Sequence, residues 1–385
     1  GVAGVFLLGL YIGNGNIAFG SINLKKNNQN TSKLPANLNY TSVEQLYDAL
    51  KLSYDGELDQ AKLVDGMKKG LVEAAGDQYT EYLNEKESKD FNDSLNGTFS
   101  GIGAELSKDN DAIVIIAPIS GYPADKAGLK VKDVIVKIND ENATNMSVSD
   151  AVKKIRGPEG TSVKLKIIRG GTEEKEFTIN REKITIPSVE SSIDSNNIGY
   201  IKISRFAEDT SALTEKAAQD FKAKNVKGIV VDLRNDPGGL LDAAVDVSSL
   251  WLDKNALILQ EKRGDQVVKT YKAKGGQVLK GIPTVILINE GSASASEITA
   301  GALRDNKVAT LMGVKSFGKG SVQQLADLRG GGVLKVTVAK WYTPAGKNIN
   351  KEGIEPDTKV ELTEDNAKNK QDPQKDAAIE YINKN

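Results

Sequence analysis

One stretch, residues 285–324, constrains the fold of this chain more than any other. An apolar run over residues 285–288 predicts a buried strand, and the sequence Asn-Glu-Gly that follows ends it. Three serines separated by alanines come next, and a helical pattern then begins. A strand, a sharp turn and a helix N-terminus together place a hydroxyl at a sheet edge, beside the positive end of a helix dipole. We therefore expect a chemically active serine in this turn.

Two residue types are missing from the composition, and each absence excludes a mechanism. The chain has no cysteine, so disulfides, thiol nucleophiles and cysteine-ligated metals are excluded. It has no histidine, so the usual base of serine hydrolases and the commonest metal ligand are missing. The net charge of −1 gives no basic surplus for nucleic acid. A serine enzyme of this composition needs a lysine or carboxylate base, and we expect no metal or other cofactor.

The N-terminal part of the chain predicts an exported protein. Residues 1–12 read GVAGVFLLGLYI and carry no charge, which is typical of a signal-anchor or a signal-peptide core. A buried N-terminal helix is the alternative. The polar stretch of residues 13–36 predicts a flexible linker. We expect an extracytoplasmic protein of the cell envelope, tethered to the membrane through its N-terminal segment.

The remaining chain divides by its periodicity into a multidomain α/β protein, as its length of 385 residues also predicts. Residues 37–97 have helical spacing and no chemical motif, which indicates a packing cap or a surface for homo-oligomers. Residues 98–184 are rich in short strands. Residues 185–365 alternate strands with helices around a mostly central sheet. Residues 366–385 form a polar tail with one short helix.

Ser294 and Lys319 are the predicted nucleophile and base. Ser294 lies at the expected apex of the turn, one residue before the helix. A lysine accepts the serine proton only when neutral, so burial must lower its pKa by several units from about 10.4. Phe317 offers apolar cover, and no acidic residue lies within six positions of Lys319. Gln323, four residues later, is a neutral group that can orient the amine.

The position of Ser294 alone leaves an alternative open. Ser292, Ser294 and Ser296 alternate along the turn, and serine is a common helix cap, so all three could be caps or packing residues. An oxyanion needs backbone donors as well. The N–H of Ala295 is one candidate, and a second can come from the glycine pair 238–239, although such a pair is also an ordinary tight turn.

Two other motifs overlap Lys319, and neither is complete. The spacing from Gly313 to Lys319 nearly matches a phosphate-binding loop, but Gly320 stands where that motif requires serine or threonine. Residues 316–319 match the S-x-x-K motif of penicillin-binding enzymes, but Gly318 disrupts the helix on which that motif lies.

The order of elements in residues 98–184 resembles a PDZ domain of the bacterial, circularly permuted type. Gly101, Ile102 and Gly103 stand where PDZ domains hold the C-terminal carboxylate of a peptide on backbone N–H groups. One departure is Lys132, followed by Asp133, where the family has Gly-Asp. The alternative is a small β-domain that binds nothing.

Four motifs together resemble the carboxy-terminal processing proteases, which are tail-specific serine peptidases. The motifs are GSASASEI, SFGKGSVQ, DLRNDPGG and YTP, at residues 291–298, 316–323, 232–239 and 342–344. The resemblance covers nearly the whole chain after the linker. It implies Ser294 as nucleophile, Lys319 as base and Gln323 as the residue that orients the base.

The same resemblance implies Gly239 and Ala295 as oxyanion donors, with Gly238 as the fallback. It also implies an α/β serine peptidase core that cuts exported proteins near their C-termini, and a PDZ domain that recognises the substrate tail. From its position in the turn after the predicted PDZ helix, Arg156 is a candidate to pair with an acidic residue across the joint between these domains, and a solvated turn residue is the alternative. The alternative function is a tail-binding adaptor or pseudoprotease without turnover.

Overall fold

The structure is a computed structural model that describes residues 39–109, 112–329, 331–363, 365–366, 369 and 371–384. The predicted apolar N-terminal segment and the linker lie outside these residues. No helix within the described ranges is both long enough and apolar enough to cross a membrane.

The helices of the described chain are α1 (Thr41–Ser53), α2 (Gln60–Glu73), α3 (Glu85–Leu95), α4 (Pro123–Lys126), α5 (Val148–Ile155), α6 (Thr210–Ala223), α7 (Leu241–Ser249), α8 (Ala295–Asp305) and α9 (Pro373–Lys384). The strands are β1 (Glu81–Leu83), β2 (Thr98–Gly101), β3 (Ala104–Asp109), β4 (Ala112–Pro118), β5 (Val134–Ile138), β6 (Glu141–Asn142), β7 (Ser162–Arg169), β8 (Glu173–Asn180), β9 (Glu182–Thr185), β10 (Val189–Ile193), β11 (Ile198–Ile203), β12 (Gly228–Asp232), β13 (Leu257–Arg263), β14 (Gln266–Lys272), β15 (Thr284–Ile288), β16 (Thr310–Gly313), β17 (Ser321–Asp327), β18 (Val333–Tyr342) and β19 (Thr358–Lys359).

A central sheet has the order β10-β11-β12-β15-β16-β19 and is parallel from β11 onward. Every residue of β12 and β15 is buried, as expected for parallel strands covered on both faces. Alternate residues of β15 pack into different hydrophobic cores, because successive side chains of a strand point to opposite faces of the sheet. Ile286 and Ile288 join the main core, whereas Val285 and Leu287 pack with Ala378 of α9.

Helix α9 extends beyond the short helix predicted for the C-terminal segment and is packed on the central sheet. Ala378 and Ile382 are buried against it. At the start of the helix, Asp372 accepts two hydrogen bonds from Arg234, at 2.8 and 2.7 Å, and Gln374 accepts a third at 2.9 Å. The helix is thereby joined to the turn that follows β12.

A second sheet has the order β1-β18-β13-β14, and β17 also pairs with β18. Its strand β1 comes from the N-terminal region, where Glu81 lies opposite Lys335 in the antiparallel register. Helices α1 and α2, by contrast, contain no buried residue. The N-terminal region therefore contributes one strand to the second sheet while leaving two amphipathic helices at the surface.

The strands β3-β4-β5-β7-β8 form a third sheet with its own core, and β6 pairs with β5. Strands β2 and β9 pair beside it. Lys132 has a φ of 69°, in the left-handed region that glycine adopts without strain. The departure from the Gly-Asp pattern therefore falls at a turn that favours glycine, away from the loop of residues 101–103.

Candidate active site

Three turns at the carboxyl ends of adjacent parallel strands meet at one edge of the central sheet. They follow β12, β15 and β16 and cover residues 233–239, 289–294 and 314–320. Backbone hydrogen bonds of 3.0 Å join them, from Ala293 to Asp236 and from Phe317 to Ser292. Open α/β sheets place their functional sites at this edge.

Ser294 occupies the strained turn that the sequence predicts between strand and helix. It is the N-cap of α8, with φ 55° and ψ −112°, and is 1% exposed. A non-glycine residue with positive φ stores strain that the surroundings must hold in place. The flanking serines have other partners: Ser292 Oγ donates to the carbonyl of Leu233 at 2.7 Å, and Ser296 Oγ to that of Asp236 at 2.9 Å. Their hydroxyls thus tie the serine turn to the neighbouring turn.

Glu297 joins the turns that carry Ser294 and Lys319. One oxygen of its carboxylate, Oε2, accepts the N–H of Ser294 at 2.8 Å and the N–H of Lys319 at 3.0 Å. The other, Oε1, accepts from Ser316 Oγ at 2.6 Å and from the N–H of Gly318 at 2.8 Å. The backbones of both predicted catalytic residues are therefore fixed on one buried side chain. Burial raises the pKa of Glu297 in spite of these hydrogen bonds.

Lys319 has the environment of a lysine that loses its proton near neutral pH. The residue is 1% exposed, and its Nζ has no hydrogen-bond partner in the described part of the chain. Burial lowers the pKa of Lys319 to about 7, although the charges of Glu297 and Asp77 oppose the shift. The ring of Tyr79 lies over this amine, with its centroid 4.7 Å from Nζ, whereas Phe317, the predicted cover, is itself 37% exposed.

Gln323 is fully buried in β17, four residues after Lys319, and its amide nitrogen donates to other residues. Nε2 donates to Ser321 Oγ at 2.8 Å and to Thr337 Oγ1 at 3.1 Å. Its Oε1 is buried and has no hydrogen-bond partner among the described residues. The site therefore contains an unpaired amide oxygen on Gln323 and an unpaired amine on Lys319.

The glycine pair after β12 lies directly against the serine turn. A Cβ on Gly238 would stand 2.9 Å from both Ser294 Cβ and Ala295 N, so only glycine fits there. The N–H of Gly238 donates to Asp236 Oδ1 at 2.8 Å. The N–H groups of Gly239 and Ala295 have no hydrogen-bond acceptor among the described residues. These two donors are available at the site, whereas that of Gly238 is occupied.

The predicted peptide loop and Arg156 lie in the other half of the molecule. Gly101 and Ile102 are buried, and Gly103 has a φ of 73°. Arg156 forms no ion pair with an acidic residue in the described part of the chain. Its guanidinium lies over the ring of Phe99, 4.2 Å from the centroid, and burial lowers its pKa.

Three residues that shape the site were not among those predicted, namely Glu297, Asp77 and Tyr79. The only signal for Glu297 was the spacing Ser-x-x-Glu, which is a capping box. That box is present at the start of α8. Asp77 and Tyr79 gave no signal, because they come from the N-terminal region. Among the described residues, no cluster of acidic side chains could hold a metal ion.

The comparison with family models covers both halves of the chain. The model of peptidase family S41 matches residues 197–360, and the model of the PDZ domain matches residues 93–168. These matches confirm the predicted fold class, a multidomain α/β chain with N-terminal helices, a PDZ domain and a peptidase core.

Among curated proteins, the carboxy-terminal processing protease CtpA of Bacillus subtilis (strain 168) is 39% identical over 324 residues, covering 84% of this chain and 69% of that protein. A probable CtpA-like serine protease of Staphylococcus haemolyticus (strain JCSC1435) is 41% identical over 320 residues, covering 83% and 64%. The chain thus spans about two thirds of the length of these relatives.

A solved structure with the same organisation is the photosystem II D1 C-terminal processing protease. It superposes with a TM-score of 0.51 at 29% identity, over 83% of this chain and 87% of that one. Together with the curated relatives and the two family models, this similarity confirms the resemblance seen in the sequence motifs. The chain belongs to peptidase family S41, among the serine-type carboxy-terminal processing peptidases that contain a PDZ domain.

Proposed function

We propose that this chain is a serine endopeptidase in which Ser294 is the nucleophile and Lys319 the general base. Gln323 orients the base, and the N–H groups of Gly239 and Ala295 bind the oxyanion. The observation that carries the proposal is the double hydrogen bond to Glu297 Oε2 from the backbones of Ser294 and Lys319. It fixes the backbones of a strained serine and of a buried lysine on the same carboxylate oxygen.

In the first half of the reaction, neutral Lys319 takes the proton of Ser294 Oγ as that oxygen attacks the peptide carbonyl carbon. The carbonyl oxygen becomes negative, and the N–H groups of Gly239 and Ala295 donate to it. The Lys319 ammonium then returns its proton to the leaving nitrogen as the C–N bond breaks. An acyl ester on Ser294 and a new amine terminus remain.

In the second half, a water molecule attacks the ester and gives its proton to Lys319. The collapse of the second tetrahedral intermediate expels Ser294 Oγ, which takes back the proton from the ammonium. Both steps need the amine in its neutral form. Because the pKa of Lys319 is about 7, the rate should rise with pH through this value.

The PDZ domain supplies substrate recognition in this proposal. The loop of Gly101, Ile102 and Gly103 would bind the terminal carboxylate of a substrate protein on its backbone N–H groups, and a strand beside it would pair with the tail. Support comes from the PDZ family match and from the left-handed Gly103, whose Cβ would stand 2.6 Å from Tyr122 Cβ. The substrates would be proteins with free C-terminal tails.

Location and self-association remain predictions. The uncharged run of residues 1–12 predicts an exported enzyme tethered to the envelope membrane. Exposed apolar side chains on α1 and α2, such as Leu46, Met67 and Leu71, support pairing with a second copy of this chain. Light scattering of Leu46→Glu and Leu71→Glu variants should then give a smaller mass than the parent, and an unchanged mass contradicts the pairing.

The experiment that tests the proposed function is digestion of an unfolded protein with an apolar C-terminus, followed by intact-mass analysis. Ser294→Ala should abolish cleavage, while Ser292→Ala and Ser296→Ala should retain some. Binding of the tail without turnover by the parent would indicate an adaptor. Cleavage by Ser294→Ala at the parental rate would exclude Ser294 as the nucleophile.

A further inference from the structure

We propose that the turn of residues 77–80, which belongs to the N-terminal region, is a positioning element for the proposed base. In it, Asp77 fixes the amide of Gln323 through Thr337, and Tyr79 shields the amine of Lys319 from water. This inference rests on the proposed function, and it assigns to the N-terminal region a part in catalysis that its sequence did not indicate.

The first part of the argument is a hydrogen-bond chain from Asp77 to Gln323. Asp77 Oδ2 accepts from Thr337 Oγ1 at 2.5 Å and from Thr80 Oγ1 at 2.6 Å. Thr337 Oγ1 in turn accepts from Gln323 Nε2 at 3.1 Å. Because Asp77 takes the hydroxyl hydrogen of Thr337, the threonine oxygen faces Gln323 as an acceptor. The donor end of that amide is thereby fixed, and its Oε1 is left for the amine.

The second part is the ring of Tyr79 over Lys319. The centroid lies 4.7 Å from Nζ, and Tyr79 is itself only partly exposed. A ring face attracts an ammonium, but excluding water favours the neutral amine. The lowered pKa of Lys319, with burial as its largest cause, indicates that exclusion of water dominates.

Three titratable groups face Lys319 from the elements packed around it. Glu297 of α8 and Asp77 carry charges that favour the ammonium. Burial opposes ionisation of Asp77, but the hydrogen bonds from Thr337 and Thr80 outweigh it and lower the pKa of that carboxyl. Burial raises the pKa of the Tyr79 hydroxyl, so this group stays neutral where Lys319 titrates.

A hydrogen bond from β18 to the turn of residues 77–80 and the strand pairing that follows it hold this turn against the peptidase core. Thr80 Oγ1 accepts the N–H of Thr337 at 3.1 Å. Immediately after the turn, β1 pairs with β18, and Glu81 bonds Lys335. A segment fastened in this way can keep Tyr79 and Asp77 in place while α1 and α2 remain at the surface.

The test is the pH profile of kcat/KM for the full chain on an unfolded protein substrate, from about pH 6 to about pH 10. In Tyr79→Ala, water reaches the amine, so the midpoint of the rise should move up by about one unit. The rate at pH 7 should then fall about tenfold and recover at about pH 10. Tyr79→Phe keeps the ring and should follow the parent.

Asp77 variants should act in a different way. Asp77→Asn removes the charge and keeps an acceptor, so the midpoint should move down while the plateau is retained. Asp77→Ala removes the acceptor as well, so Gln323 is no longer fixed. The value of kcat/KM should then fall at every pH, including the alkaline plateau. Tyr54→Ala is the matched control, since Tyr54 is 56% exposed and lies outside the site. Its profile should equal that of the parent.

Burial also lowers the pKa of Lys335, to about 8, and a Lys335→Met variant separates this second titration from that of Lys319. An unshifted midpoint in folded Tyr79→Ala overturns the shielding role, and an unchanged plateau in Asp77→Ala overturns the positioning role. If Lys319→Ala still cleaves the substrate, the proposed function itself fails. The Tyr79 and Asp77 variants test only the positioning turn, so their results leave the proposed function standing.

Discussion

Lys319 and Lys335 are both buried, and the difference between their surroundings is the reason that only Lys319 is proposed as the base. Lys319, in the turn before β17, has a ring over its amine and no hydrogen-bond partner for Nζ among the described residues. Lys335, in β18, bonds the carboxylate of Glu81. Burial lowers the pKa of both, to about 7 and about 8. Burial thus creates a titratable amine, and the lack of a bonded carboxylate leaves it available for a proton.

The largest expected effect is on turnover. Lys319→Ala should abolish cleavage of an unfolded protein, because the variant lacks the amine that is proposed to take the serine proton. Lys335→Ala should keep most of the parental kcat/KM, because its partner Glu81 lies on the N-terminal strand and not at the serine. The measurement is steady-state cleavage with folding checked by circular dichroism. Equal losses of kcat/KM in Lys319→Ala and Lys335→Ala would contradict the proposed difference between the two lysines.

The next effect is on stability. Lys319 is protonated in the unfolded chain up to about pH 10 but only up to about pH 7 in the folded one. The unfolded state binds more protons between these values, so the folded protein becomes more stable as pH rises through this window. Lys319→Met removes the free-energy cost of burying an amine that is protonated in the unfolded chain. It should therefore raise the free energy of unfolding by a few kcal/mol at pH 7, and by little at pH 10.

Lys335→Met is the matched variant for this measurement. It should give a smaller gain at pH 7, because it also removes the bond to Glu81. Urea denaturation at both pH values measures the two differences. A gain for Lys319→Met that does not depend on pH would show that packing, and not protonation, is responsible.

The smallest effect concerns Glu81. Its side chain is 48% exposed, and exposed ion pairs contribute about 1 kcal/mol or less. Glu81→Gln should therefore destabilise the protein slightly and leave cleavage within about twofold of the parent. A large loss of activity, comparable to that of Lys319→Ala, would place Lys335 in the catalytic machinery and remove the distinction drawn between the lysines.

Local patterns predicted the elements that carry the site. The apolar run before Ser294 corresponds to β15 in the structure, and the helical pattern after it corresponds to α8. The glycine pair after β12 reaches the serine turn through Gly238, whose Cβ would stand 2.9 Å from Ser294 Cβ. These features are local because a strand, a turn and a helix start are each encoded by neighbouring residues. The ring that lies over the Lys319 amine, that of Tyr79, comes from a distant segment and was not predicted.

By itself, the sequence determined which chemistry to expect, because a chain without histidine or cysteine leaves a lysine or a carboxylate as the base of a serine enzyme, and the motifs propose Ser294 as the nucleophile and Lys319 as the base. Only the tertiary structure decided how that base is prepared. Tyr79 and Asp77 reach Lys319 through the pairing of β1 with β18, and Glu297 joins two turns that follow different strands. A pKa depends on every group around the amine in space, and such groups come from segments that no local pattern connects.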